Sequence, residues 1–126
     1  MKREVIRSER APKAIGPYEQ GLKLDGWVST SGQIPLDPKT GAMVEAGIGA
    51  QTRQVLENLR GVLEAAGTSM SRVVKTTVYM TNLADFQKMN EVYAEYFPQD
   101  KPVRSTVGVA SLPRGALVEI DVIAQA

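Results

Sequence analysis

Cysteine and histidine are both missing from this chain of 126 residues. Without cysteine there are no disulfides, thiolate nucleophiles, iron–sulfur clusters or thiolate zinc sites. Without histidine the Ser-His-Asp triad and the usual zinc and haem ligations drop out. Acid–base chemistry must therefore come from Glu, Asp, Tyr, Lys or water. Charge excess is missing too: 15 Lys and Arg against 14 Asp and Glu leave a net charge of +1, with no general pull toward nucleic acid or membrane. No run approaches transmembrane length. The opening MKREVIRSER is too charged for the apolar core of a secretory signal, and Glu4 and Glu9 argue against a transit peptide. A soluble cytoplasmic protein is the expectation.

What is present suits one globular domain over residues 1–126, with 43% hydrophobic and 23% charged residues. Lys2 to Ser8 can form a strand. Gly21 to Ser31 reads as a hairpin turning at Asp25-Gly26, and IPLDPKTG, Ile34 to Gly41, as a loop. Ala46 to Ala66 is the best helix, with Val55, Leu56, Leu59, Val62 and Leu63 at helical spacing and Gly67 as its stop. Arg72 to Thr81 is rich in β-branched residues and reads as a strand. Asn82 then looks like the N-cap of a second helix reaching about Phe97, with Phe86, Met89, Val92, Tyr93 and Tyr96 on its apolar side.

Strands paired around two helices predict an α+β fold, with a mostly antiparallel sheet of about six strands and both helices on one face. Several strands carry apolar residues on both faces, as in Val103/Val107/Val109 and in Val118/Ile120/Val122 beside Leu117/Ile123. The uncovered face needs burial, and a homo-oligomer supplies it.

The stretch from Pro102 to Ala124 holds two charges that amphipathic patterning does not require: Arg104 in VRSTVGVA and Glu119 in ALVEIDVIA. Charges are rarely buried without partners, so the pair suggests a polar site for a small organic acid. A guanidinium grips a carboxylate through two parallel hydrogen bonds, and a glutamate can orient water or move a proton. A plainer reading is also open: Arg104 as a solvated residue on a sheet face, and Glu119 with Asp121 as a wet edge. In a hairpin across Ala110 to Gly115, an odd-sum register puts Arg104 and Glu119 on one face. An even sum separates them and leaves the site to be completed by a partner subunit.

Five segments in order resemble the Rid family (RidA/YjgF type) of enamine/imine deaminases. They are APKAIGPYEQG, STSGQIPLDPKTG, QTRQVLENLRGVLEAAGTS, VKTTVYMTNLADFQKMNEVYAEYF and PVRSTVGVASLPRGALVEI, and they span most of the chain. The resemblance implies a chorismate-mutase-like fold, a homotrimer with sites between subunits, and no metal or cofactor. It implies hydrolysis of 2-enamino and 2-imino acids, released by pyridoxal-phosphate-dependent dehydratases, to 2-keto acids and ammonia. By the same resemblance Arg104 binds the substrate carboxylate, Glu119 positions the attacking water, and Tyr18 lines the pocket as a third catalytic group. Among substrate-binding candidates, Ser31 and Gly32 end a strand where a small hydroxyl and open backbone can approach a ligand, unless Gly32 only permits a sharp bend. The Thr106 backbone amide can bind the carboxylate, and Asn90 either hydrogen-bonds near the site or caps a loop. Thr106 stands where many relatives carry cysteine, and Glu19 where serine is usual. Two other functions stay in view: a non-catalytic keto-acid sensor using the same clefts, and a ribonuclease or translation inhibitor. For the last, the near-zero charge and scattered basic residues offer little.

Overall fold

Arg3–Ile6, Gly21–Leu24 and Trp27–Thr30 form β1, β2 and β3 in the computed structural model, which describes residues 2–126. β2 and β3 pair antiparallel across Asp25 and Gly26, whose φ angles of 48° and 86° are the left-handed pair that a tight hairpin requires. The helix α1 covers Ile48–Ala65. It begins later than the apolar spacing suggests because Gly47, at φ 92°, turns the chain into it. β4 is Val73–Met80, α2 is Phe86–Tyr96, β5 is Val103–Gly108 and β6 is Val118–Gln125. Asn82 caps the short 3-10 turn Leu83–Asp85 ahead of α2, accepting from the Ala84 N–H at 3.0 Å.

The six strands make one mixed sheet in the order β1-β2-β3-β6-β4-β5. The hairpin across Ala110 to Gly115 does not form, because β4 lies between β5 and β6. β4 pairs antiparallel with β6 and parallel with β5. A parallel neighbour needs a crossover, and α2 provides it, so β4-α2-β5 is a βαβ unit within an otherwise antiparallel sheet. The segment back to β6 passes through a 3-10 turn at Pro113–Gly115, with Arg114 at φ 57°.

Both helices cover one face. Val28, Val78, Met80, Val118, Ile120 and Val122 join Val55, Leu56, Leu59, Leu63, Met89 and Tyr93 in a single buried cluster. Burying this apolar area is the main stabilising term. β6 keeps strict alternation, with Val118, Ile120, Val122 and Ala124 inward and Glu119, Asp121 and Ile123 on the opposite face. In β4 the register slips between Val73 and Lys75, so that Thr76, Val78 and Met80 continue inward after Val73. Two contacts tie α2 to α1: Arg53 donates to both oxygens of Glu95 at 3.0 Å, and the Tyr96 hydroxyl donates to Glu57 at 2.6 Å. Exposed ion pairs add little stability; these set how α2 lies, and α2 carries part of the site.

Among the described residues no helix covers the other face. Trp27 and Val103 are 49% and 67% exposed there, alongside Val5, Val107 and the polar row Lys75, Thr77 and Tyr79. Among the described residues no helix is long and apolar enough to cross a membrane.

Candidate active site

Arg104 pairs with Thr76 in the β4–β5 register, and Thr76 faces the helices, so Arg104 does too. Its guanidinium carbon lies 4.7 Å from the Tyr93 ring centroid and 5.4 Å from that of Phe86. One terminal nitrogen, Nη1, donates to Asn90 Oδ1 at 2.7 Å. Phe86, Asn90 and Tyr93 stand at helical spacing on α2 and present one face to β5. Among the described residues no carboxylate lies within ion-pair distance of Arg104, so most of its donor fork is uncommitted. Thr106, two residues on, shares this face; its Oγ1 is buried and finds no partner in the chain. Arg104, Asn90 and Thr106 therefore form one group.

Glu119 lies on the opposite face of the sheet, paired with Tyr79 of β4. On its other side Gln33 bridges to Ile120 through both backbone groups, at 2.9 and 3.2 Å, which lays Gly32 against the Glu119 carboxylate. A β-carbon added at Gly32 would fall 2.7 Å from Glu119 Cδ and closer still to Oε2. Any side chain here would displace the Glu119 carboxylate, which fills the space that glycine leaves. Gly32→Ala should keep the fold, since only the end of a flexible side chain must move. Turnover should drop on the order of 10²-fold from a carboxylate displaced by about 1 Å. Unchanged kcat/KM in that variant would show that the placement of Glu119 is not used.

Tyr18 and Gly32 line a small cavity of about 30 Å³ with Ile15, Ile34 and Leu36. Tyr18 is 45% exposed, and its hydroxyl accepts from the Ile15 N–H at 3.3 Å. Tyr18 and Ser31 both line an open depression of about 1320 Å³, wider than a pocket shaped for one small acid. The Ser31 hydroxyl donates to the Glu19 carbonyl at 2.6 Å, leaving its lone pairs for a ligand. Glu19 itself is held by Arg7 at 3.1 and 3.2 Å on the rim, which accounts for an acid at that position. Tyr18, Ser31, Gly32 and Glu119 thus form a second group.

Burial raises the Glu119 carboxyl above its ordinary pKa, and the neighbouring charge of Asp121 raises it further. Asp121 is itself raised by burial, against the Tyr79 hydroxyl donating to it at 3.2 Å and the nearby Lys75 cation. A carboxyl shifted in this direction exchanges its proton more readily near neutral pH.

The two groups do not meet within one chain. Arg104 and Glu119 stand two strand spacings apart, roughly 10 Å, and three residues apart along the strands, about another 10 Å, with side chains on opposite faces. Phe86 and Tyr93 were legible in the sequence only as apolar positions of α2, yet they frame Arg104. The available signal was Asn90, a polar residue four and three positions from two aromatics, which places all three on one helical face rather than on opposite sides.

A sequence profile of the family described as Endoribonuclease L-PSP matches residues 8–126. The chain belongs to that family, the Rid family of the resemblance. A RutC family protein of Pyrococcus horikoshii is 55% identical over 122 residues, covering 97% of each chain. The 2-iminobutanoate/2-iminopropanoate deaminase of Salmonella typhimurium is 48% identical over 124 residues, covering 96% of each. Among solved structures, E. coli TdcF with bound serine superposes with a TM-score of 0.94 at 44% identity, covering 98% of each chain.

Proposed function

We propose that this protein hydrolyses reactive 2-imino and 2-enamino acids to 2-keto acids and ammonia, at sites built between the subunits of a homotrimer. One observation carries the reading: Arg104 is held by two rings and Asn90, with its fork open and, among the described residues, no acid in reach. Such a guanidinium suits a planar carboxylate. The relative named 2-iminobutanoate/2-iminopropanoate deaminase supports the substrate class at 48% identity.

The chemistry follows from the groups available. Arg104 fixes the carboxylate of the imino acid and leaves the C=N carbon open to attack. Glu119 of a neighbouring subunit orients a water and takes its proton as the C–O bond forms. The proton passes to nitrogen, giving a carbinolamine; its hydroxyl proton then moves, through Glu119, to the same nitrogen as the C–N bond breaks, so that ammonia leaves and the keto group forms. Tyr18 shares a small cavity with Gly32, which abuts Glu119, and in this reading its hydroxyl serves the water or the departing nitrogen. A 2-enamino acid enters the same path after tautomerising to the imine. No step requires a redox or group-transfer cofactor. Pyridoxal-phosphate-dependent dehydratases are the supply that fits such short-lived substrates. The exposed sheet face, with Trp27, Val103 and Val107, is where subunits associate in this reading. An organic acid suits the site better than RNA, because the two rings flank a cation and leave no free stacking platform.

The test supplies threonine to a threonine dehydratase in the presence of semicarbazide, with and without this protein. Faster 2-ketobutyrate release and less trapped imine, both lost with Arg104→Ala, are expected. No change with a properly assembled protein would move the reading to a keto-acid sensor.

A further inference from the structure

We infer that Tyr93, tethered to Thr76, is a positioning residue that sets the plane of the Arg104 fork; this rests on the carboxylate-binding role proposed above. The Tyr93 hydroxyl and Thr76 Oγ1 are 2.8 Å apart in a buried hydrogen bond. Thr76 is fully buried, and Tyr93 is 8% exposed. Thr76 is also the register partner of Arg104 across β4 and β5. One residue of β4 therefore sits opposite the arginine backbone and holds the ring against which its guanidinium stacks.

That closed arrangement differs from ordinary core packing. Arginine has several rotatable bonds, and a two-point grip on a carboxylate needs the guanidinium plane fixed before the ligand arrives. Phe86, at 38% exposure, is a weaker restraint than the buried Tyr93. Asn90 holds only one nitrogen, so the fork can still swing about that bond. The Tyr93 ring blocks this swing, and the Thr76 bond fixes the ring. The plain alternative is that Thr76 and Tyr93 merely satisfy one another's buried hydroxyls.

Tyr93→Phe keeps the ring and removes the tether, and Thr76→Val removes it from the other end with little change of shape. Each is expected to raise KM for 2-iminobutanoate, and the dissociation constant of 2-ketobutyrate measured by calorimetry, about fivefold, with kcat within about twofold. The double variant should be no weaker than either single one, because both remove the same bond. In an Arg104→Ala background Tyr93→Phe should add nothing. A structural role alone would lower the melting temperature and leave KM, keto-acid binding and their ratio to kcat unchanged, and that result overturns the inference. Binding without turnover by the unsubstituted protein would sink the deaminase reading, while the calorimetric comparison still decides for or against the tether. Absence of both binding and turnover overturns both.

Discussion

An equal mixture of Arg104→Ala and Glu119→Gln chains, each inactive alone, should recover about a quarter of the unsubstituted activity after joint unfolding and reassembly. The argument is geometric. Arg104 faces the helices on the edge strand β5, whereas Glu119 faces the open side of the sheet on β6, with β4 between them. A sheet is not porous to a small substrate, so one chain cannot close both groups on one imine. In the proposed ring each site would take its arginine from one chain and its glutamate from the next. A site is whole when the arginine comes from a Glu119→Gln chain and the glutamate from an Arg104→Ala chain. Random assembly meets both conditions in about a quarter of sites. If both residues served the same site from one chain, no site in the mixture would be complete and activity would stay at the level of the single variants. Mixing pre-assembled oligomers without exchange controls for slow recovery of either variant.

The sequence made the elements legible and the partner of each strand less so. β2 and β3 announced themselves through Asp25-Gly26, since few dipeptides accept two positive φ angles in a row. The stripe of α1 was equally plain, because five buried aliphatic residues at helical spacing have one solution. Alternation in β6 separated Glu119 from Val118 and Ile120 correctly, as period two leaves no choice of face. What local pattern does not encode is which strand lies beside which. β5 and β6 follow one another in the chain, and consecutive strands usually pair. Here the crossover through α2 fixes β5 parallel to β4, and β6 fills the gap toward β3. With that order, the β4 register pairs Arg104 with inward Thr76 and Glu119 with outward Tyr79, on opposite faces. The frame around Arg104 was hidden for a related reason: Phe86 and Tyr93 look like core in any one-dimensional reading. The open sheet face, by contrast, could be anticipated, because two helices cannot cover both sides of six strands.

Glu119→Gln should lower turnover by about 10³-fold while 2-ketobutyrate binds as well as before or more tightly. Glutamine keeps the length and polarity of the side chain against Gly32 but cannot take a proton from water. Removing a negative charge from the proposed anion site favours the anion, so loss of binding is the result that contradicts the role. The same substitution carries a stability signature whose sign follows from the environment. Glu119 has its carboxyl raised above 4.5 in the folded protein, by burial first and then by Asp121. A group raised on folding stabilises most fully where it is protonated in both states, and that contribution is lost as pH rises from 4.5 through the folded value. Ionised Glu119 is thus a liability of the folded chain at neutral pH. Asp121 is present in both proteins, so to first order its own titration cancels in the difference. The melting temperature of Glu119→Gln should therefore exceed that of the unsubstituted assembly at pH 7, with the gap narrowing as pH falls toward 4.5. A variant less stable at pH 7 would mean that the carboxylate is favourably bound in the assembly. A neighbouring subunit would then supply the cation that balances it. A gain in stability coupled to loss of turnover would mark Glu119 as an acid held in an unfavourable place for the sake of its chemistry.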